Sequence, residues 1–206
     1  ESSFKTFPQV FVVQNTTMGA EDTSEPSPQY IGGYAEFEEY TRPYMDFEKL
    51  MRITKVVANN LTKIIDINKY PVPETELSNK RHRPIGIGTQ GLANVYALMR
   101  YPYDSDEAAQ LNKDIFATMY YAAIEKSMEI SKEHKPYSTF AGSPMSKGQF
   151  QFDLWETEPR RYVGHNDTNK TFGFYNNYIQ LDWDTLRSNV MKHGIRNSLS
   201  MACMPT

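Results

Sequence analysis

Cysteine is nearly absent from the sequence: of its 206 residues only Cys203 carries a thiol. A single cysteine excludes a disulfide within the chain and leaves no cysteine-based zinc site. The histidines nowhere have the spacing of metal ligands on one helix. The residues therefore predict no metal site and no cofactor in this chain. The four histidines are His82, His134, His165 and His193.

Long apolar runs and an excess of positive charge are also missing. No stretch approaches the roughly 20 apolar residues of a membrane-spanning helix, and the acidic start at Glu1 is not typical of a signal peptide. We therefore expect an intracellular, cytoplasmic protein without membrane insertion. Location in an organelle such as the mitochondrion is an alternative, because an N-terminal transit peptide could have been removed.

The charge balance argues against nucleic-acid binding as the main function. The formal net charge is -3, from 22 Lys and Arg against 25 Asp and Glu. The basic cluster of Lys80, Arg81 and Arg83 is short, which favours a solvated or ion-paired face over a phosphate contact. We expect no nucleic-acid partner.

Periodic apolar residues predict helices that alternate with strands. Residues 8–14 (PQVFVVQ) form a short apolar run, and 197–205 (NSLSMACMP) is a second strand candidate. QFDLW, residues 151–155, is interpreted as extended. Strands alternating with helices favour a parallel α/β architecture. Helices are predicted from Asp46, over 92–99, over about 105–133 and from Asp182 to Gly194.

The longest predicted helix, over about 105–133, has a clear start and a continuous apolar face. Asp104 and Glu107 have the spacing of a capping box, with Asp in place of Ser or Thr. The apolar stripe, at steps of three and four residues, predicts which side is buried. It consists of Ala108, Leu111, Ile115, Met119 and Ala122.

Two polar segments, residues 15–44 and 158–180, interrupt this pattern. Both are rich in turn-forming and polar residues, which predicts long surface insertions. Surface insertions commonly serve contacts with other molecules.

Gly86, Gly88 and Gly91 in RPIGIGTQGLANVY have the G-x-G-x-x-G spacing of a dinucleotide-binding turn. Such a turn follows a buried strand and is followed about 20 residues later by an acid that ends a second strand. The preceding SNKRHRPI is too polar for a buried strand, and Asp104 and Asp106 stand where a helix begins. We interpret the three glycines as structural, at a point where backbones pack closely.

Read as a whole, the same region resembles a known family. NKYPVPETELSNKRHRPIGIG at 68–88, GSPMSKGQFQFDLW at 142–155 and GIRNSLSMACMPT at 194–206 carry the resemblance in order. They resemble the large (catalytic) subunit of eukaryotic-type class I ribonucleotide reductase, in the middle part of its catalytic barrel. The chain is interpreted as a truncated or degenerate form of it.

The resemblance implies a fold and an activity. It implies that residues 1–206 are part of a ten-stranded α/β barrel, incomplete in this chain, with 15–44 and 158–180 as surface insertions. The family reduces ribonucleoside diphosphates by a radical mechanism. A small subunit with a dimetal centre supplies the radical, and allosteric nucleotides bind elsewhere in the large subunit.

The resemblance places only one part of a site in this chain. Met204, Pro205 and Thr206 correspond to the start of the loop that binds the substrate's phosphates. The radical cysteine belongs to an N-x-C-x-E stretch expected before Glu1, and Cys203 stands where the family usually has proline. No catalytic residue is therefore predicted here, and the chain is expected to be inactive alone.

Three functions stay open. The chain could complete a split reductase barrel with at least one other chain, or it could be a non-catalytic structural or interaction subunit of a larger assembly. A nucleotide-binding module without chemistry is the third. A partial barrel exposes sheet edges and an apolar face, so we expect the chain to need another polypeptide to complete the fold. The incomplete phosphate loop argues against the third function.

Overall fold

The computed structural model describes residues 10–12, 29–32, 45–164 and 179–203. The chain divides into two units, 1–44 and 45–206.

The described part of the first unit is one pair of strands. β1 (Val10–Val12) pairs antiparallel with β2 (Gln29–Gly32), with an irregularity after Val10. β1 confirms a strand within 8–14. β2 lies inside the segment 15–44, whose composition had predicted only a surface insertion.

The second unit is mainly helical. In its described residues β3 (Tyr162–Val163) pairs antiparallel with β4 (Ile179–Gln180), and a 3-10 turn covers Met145–Lys147. Its α-helices are α1 (Phe47–Ile67), α2 (Pro73–His82), α3 (Leu92–Met99), α4 (Asp106–His134), α5 (Gln151–Leu154) and α6 (Trp183–His193).

The long helices α1 and α4 pack on each other and carry most of the core. α1 begins where predicted, because the Asp46 carboxylate accepts a hydrogen bond from the Lys49 amide at 2.8 Å. The predicted stripe of α4 is buried throughout, from Ala108 to Ala122. Burial of one face explains why a 21-residue and a 29-residue helix form here.

The start of α4 differs from the predicted capping box by one residue. Ser105, not Asp104, is the N-cap, and its hydroxyl accepts from the Ala108 amide at 3.2 Å. The Ser105 amide is already bonded to the Pro102 carbonyl at 3.1 Å in a turn. That turn leaves Ser105 in the extended conformation a cap requires.

Two helices were not predicted. α2 begins at Pro73, because proline lacks an amide hydrogen and fits the first position of a helix well. α5 corrects the extended prediction for QFDLW: the Asp153 carboxylate accepts from the Phe150 amide at 2.7 Å and stabilises a helical turn. A helix stabilised by such a local bond need not have apolar residues at helical spacing, so the sequence pattern did not predict it.

The strand pairings in the described ranges are antiparallel, apart from one parallel bridge between Ile87 and Met201. The prediction of parallel strands is therefore correct only at that bridge. No helix in the described part of the chain is long and apolar enough to cross a membrane.

Candidate functional site

Two chain segments lie side by side, and the second of them precedes the predicted phosphate loop in the sequence. Residues 82–87, which connect α2 to the glycine motif, run beside residues 198–202. Four backbone hydrogen bonds join them: the Ser198 amide to the His82 carbonyl at 3.1 Å, Ile85 to Leu199 at 3.1 Å, Ile87 to Ser200 at 3.0 Å and Ala202 to Ile87 at 3.0 Å. We call this arrangement the paired segments.

Gly86 lies at a close approach of the two paired segments. A Cβ atom on Gly86 would be 2.9 Å from the Cβ of Ala202, too close for any residue but glycine without a shift. Gly88 follows directly after the bridge residue Ile87. Gly91 is the N-cap of α3 at φ 78°, a left-handed conformation that favours glycine. Gly86 and Gly91 thus stand where the backbone geometry favours glycine.

A buried polar network lies at the start of the second segment. Asn197 is fully buried, and its side-chain oxygen accepts from the Thr62 hydroxyl at 3.1 Å and the Ser127 hydroxyl at 2.9 Å. Its side-chain nitrogen donates to the Arg83 carbonyl at 3.0 Å, and its backbone amide donates to Ser127 Oγ at 2.9 Å. The network joins α1, α4 and both paired segments.

Arg83 continues this network towards α1. Its buried guanidinium donates to both carboxylate oxygens of Asp66, each at 2.7 Å, and to the Thr62 carbonyl at 3.0 Å. The hydrogen bond from Arg83 lowers the pKa of Asp66, although partial burial opposes this. Arg83 adopts a left-handed backbone conformation, φ 50° and ψ 48°, which is uncommon for a residue with a side chain. These contacts hold it there.

Two of the three residues of the basic cluster are ion-paired, as the sequence had favoured. Arg83 pairs with Asp66, and Lys80 pairs with Glu76 one helical turn away on α2.

The predicted loop residues Met204, Pro205 and Thr206 lie outside the described residues. Cys203, immediately before them, is exposed. The second paired segment, 198–202, is separated from the predicted loop only by Cys203.

Tyr120 and Tyr121, adjacent residues on α4, are both half-buried, and both contact Trp183, with ring centroids 5.8 and 5.1 Å away. Burial raises the pKa of each to about 12. Trp183 is a core residue and Asp182 caps α6, accepting from the Thr185 amide at 3.0 Å, as predicted. These side chains form an aromatic core cluster rather than a reactive site.

Among the residues whose placement is described, no three histidine, cysteine or acidic side chains come together as metal ligands. His82 instead shares a hydrogen bond of 2.9 Å with the Thr139 hydroxyl.

Sequence comparison decides the family. The sequence profile described as "Ribonucleotide reductase, barrel domain" matches residues 33–206, which include α1 to α6 and both paired segments. The chain belongs to the ribonucleotide reductase barrel-domain family.

Similar proteins are named as large subunits of the reductase. The chain is 54% identical over 161 residues to the ribonucleoside-diphosphate reductase large subunit of Caenorhabditis elegans, covering 78% of this chain and 18% of that protein. It is 48% identical over 171 residues to the large subunit of Plasmodium falciparum (isolate Dd2), covering 83% and 19%. It is 48% identical over 161 residues to large chain 2 of Saccharomyces cerevisiae (strain ATCC 204508 / S288c), covering 78% and 16%.

The chain therefore spans less than a fifth of these relatives, between 16% and 19% of their length. The resemblance to the large subunit, inferred from the motifs, is confirmed.

The buried network around Asn197 was not predicted from the sequence, although the sequence contains a pattern that points to it. Thr62 and Ser127 stand among the apolar positions of α1 and α4, where the helical period predicts buried side chains. A hydroxyl at such a position needs a partner, which is itself a reason to expect a polar side chain nearby.

Proposed function

We propose that this chain forms part of the catalytic barrel of a ribonucleoside-diphosphate reductase large subunit and contributes the start of the substrate's diphosphate site. The observation that carries the proposal is the pair of segments 82–87 and 198–202, hydrogen-bonded side by side and leading directly to Met204, Pro205 and Thr206. The family match over 33–206 supports the same assignment.

The chemistry of a diphosphate site suits a turn after a strand. Backbone amides in such a turn point into one concavity, and hydroxyl groups add further donors. We propose that Thr206 supplies one hydroxyl and that amides around Met204 and Thr206 supply others. Further donors would come from parts of the reductase beyond these residues.

Reduction needs thiols that this sequence does not hold. The mechanism implied by the family uses a radical cysteine and a reducing cysteine pair, and the 206 residues contain only Cys203. We therefore propose that the chain is inactive by itself and works within a barrel completed by other polypeptide, in a split enzyme with a second chain. The radical would come from the dimetal small subunit, and allosteric nucleotides would bind elsewhere.

A second candidate is a non-catalytic structural or interaction subunit of a larger assembly. Two features favour it: cysteine at position 203, where the family usually has proline, and apolar side chains that α1 exposes. Ile53, Val56, Ile64 and Ile67 on α1 are each about half exposed or more, between 47% and 78%. A partner that covers them need not be a reductase.

The deciding experiment is isolation of the native complex under mild conditions, with its components identified by mass spectrometry. We expect the rest of a reductase large subunit and a metal-containing small subunit, together with reduction of ribonucleoside diphosphates. An assembly with neither component and no such activity would contradict the enzymatic proposal and favour the structural one.

A variant pair tests the diphosphate site itself. Thr206→Val removes the proposed hydroxyl donor at nearly constant volume, and Thr206→Ser retains it. In the active complex we expect the valine variant to raise KM for a ribonucleoside diphosphate about tenfold, equivalent to roughly one lost hydrogen bond to a charged group. Equal KM values for the two variants would show that the Thr206 hydroxyl does not bind the diphosphate.

A further inference from the structure

A groove follows the line along which α1 and α4 pack. Its first half is a cavity of about 700 Å³ beside the start of α1 and β4, and its second half is a cavity of about 750 Å³ beside the ends of α1 and α4. Asn59 and Lys126 line both cavities, so the two halves are continuous. Between Glu48 and Asp66, which line opposite ends, α1 rises by about 27 Å.

The dimensions of the groove suit a polypeptide better than a small ligand. A small ligand fills one compact pocket, whereas these two cavities join along several turns of two helices. A third helix fits such a groove, because the side chains of one helix pack between the ridges of its neighbours.

Apolar side chains line the first half of the groove. Met51 and Val56 on α1 and Ile179 in β4 contribute them. Val56 is 55% exposed and also belongs to the exposed apolar residues of α1 described above. The groove therefore continues an apolar surface that is typical of contact with another polypeptide.

Positive charge exceeds negative charge in the groove. Six lysine and arginine side chains line it, against four carboxylates. Two of these carboxylates are already paired, Asp66 with Arg83 at 2.7 Å and Glu129 with Lys126 at 3.0 Å. The other two lie at opposite ends of the groove. The lining therefore favours a partner that carries acidic side chains.

Three of the cations define where those acids would lie. Lys55 is paired with Glu125 at 2.5 Å, whereas Arg52, Lys63 and Lys132 are exposed and contact no carboxylate in the described part of the chain. Arg52 and Lys63 are 11 residues apart on α1. Eleven residues make about three helical turns, so both side chains lie on one side of α1, about 16 Å apart.

We propose that the groove between α1 and α4 binds an amphipathic helix of the polypeptide that completes the reductase large subunit. Two acidic residues of that helix, 11 positions apart, pair with Arg52 and Lys63, and an apolar residue packs on Met51 and Val56. The chain covers 18% of the Caenorhabditis elegans large subunit, so most of such a subunit lies outside it. The inference rests on the proposed function, since the occupant belongs to the same subunit.

The first test is zero-length cross-linking of the native complex with a carbodiimide, which joins a lysine amine to a carboxylate in contact with it. We expect Lys63 and Lys132 to be linked to acids of the completing polypeptide. Arg52→Lys retains the charge and supplies an amine, and its link should lie 11 residues from that of Lys63 on the same helix. Lys113, exposed on α4 and outside the groove, is the control and should form no such link.

The second test is competition between wild-type and variant chains for incorporation into the complex. We expect Arg52→Glu with Lys63→Glu to incorporate about tenfold less, because two attractions become repulsions. Lys113→Glu, the same substitution outside the groove, should compete equally with wild type. Acid-to-lysine substitutions at the cross-linked positions of the partner should restore incorporation of the double variant, whereas a chain that had failed to fold would not be restored.

Several results would overturn the inference. Links from Lys63 and Lys132 to a protein other than the large subunit would identify a different occupant. Links to acids about five residues apart would indicate an extended segment instead of a helix. Equal linking of Lys113 would show that the groove is not selected. In each case the proposed function would stand if the complex contains the rest of the large subunit and reduces ribonucleoside diphosphates. A complex with neither property would overturn both proposals.

Discussion

Asp66 and Arg83 form an ion pair whose two partners differ sharply in exposure. The side chain of Arg83 is 3% exposed, whereas that of Asp66 is 51% exposed. The buried guanidinium depends on the carboxylate for its charge partner, while the carboxylate retains water. Loss of Asp66 therefore costs more than loss of a surface pair, and less than loss of a fully buried one.

We predict that Asp66→Asn lowers the free energy of unfolding by about 1–2 kcal/mol at neutral pH. Because the folded pKa of Asp66 is below its ordinary value of 3.8, this contribution is fully present above that value. It is lost as the pH falls through the folded pKa. Thermal unfolding midpoints should differ between wild type and variant at pH 7, begin to approach each other below pH about 4, and converge only once the pH has fallen through the folded pKa. Asp104→Asn, on an exposed turn, is the control; a pH-independent difference would contradict the prediction.

Gly86 allows a second test at the scale of one residue. Gly86→Ala places a Cβ atom 2.9 Å from that of Ala202, so the paired segments must separate. We predict a loss of stability of about 1–3 kcal/mol, typical of overpacking. Ala202→Gly in the same chain restores the space, and the double variant should recover most of the loss in thermal unfolding. A double variant as unstable as the sum of the two single changes would show that the contact is not the cause.

At the scale of elements, helix starts are decided by local hydrogen bonds that sequence patterns locate only approximately. Two adjacent residues, Asp104 and Ser105, are both good caps. The capping-box spacing favours the first, and the turn that begins at Pro102 selects the second. In the same way Pro73 begins α2 instead of only ending what precedes it.

We predict that Ser105→Ala weakens the first turn of α4 by about 1 kcal/mol, whereas Asp104→Ala has a much smaller effect. The measurement is hydrogen exchange by mass spectrometry on the peptide that begins at residue 105. Amide exchange in the first turn should be roughly fivefold faster in the serine variant. If amide exchange were instead faster in Asp104→Ala than in Ser105→Ala, the N-cap of α4 would be Asp104.

At the scale of the whole molecule, α1 presents apolar side chains on two faces. One face packs on α4 through buried residues such as Ala58 and Ile65. Ile53, Val56, Ile64 and Ile67, which we call the outer stripe, are exposed and recur at helical spacing on a second face. A helix that is apolar on two faces is typical of one with neighbours on both sides.

We predict that the 206-residue chain, produced alone, self-associates and binds a hydrophobic dye through the outer stripe. Ile53→Lys with Ile64→Lys should lower both dye fluorescence and association, and it should reduce incorporation of the chain into the native complex. Leu98→Lys, an exposed leucine on α3, is the matched control. Unchanged dye binding and normal incorporation of the double variant would show that the outer stripe contacts solvent in the complex.

Elements that depend on residues close together in the sequence were predicted, and elements that depend on distant residues or on a single local bond were not. α1, α3, α4 and α6 were predicted because their apolar periods, or caps such as Asp46 and Asp182, are properties of neighbouring residues. α2 and α5 were missed because α2 buries no residue and α5 is a single turn stabilised by one carboxylate. The strand β2 was missed because pairing with β1 depends on residues far along the chain.

The sequence by itself determined the family, through motifs such as NKRHRPIGIG and GIRNSL. The activity and the phosphate loop at 204–206 stay predictions that follow from this resemblance. The sequence also determined that only one thiol is present. The tertiary structure alone decided that Asn197 meets Thr62, Ser127 and Arg83, and that Gly86 lies against Ala202. These contacts join residues more than 60 positions apart, and a linear pattern holds no information on which buried polar groups will meet.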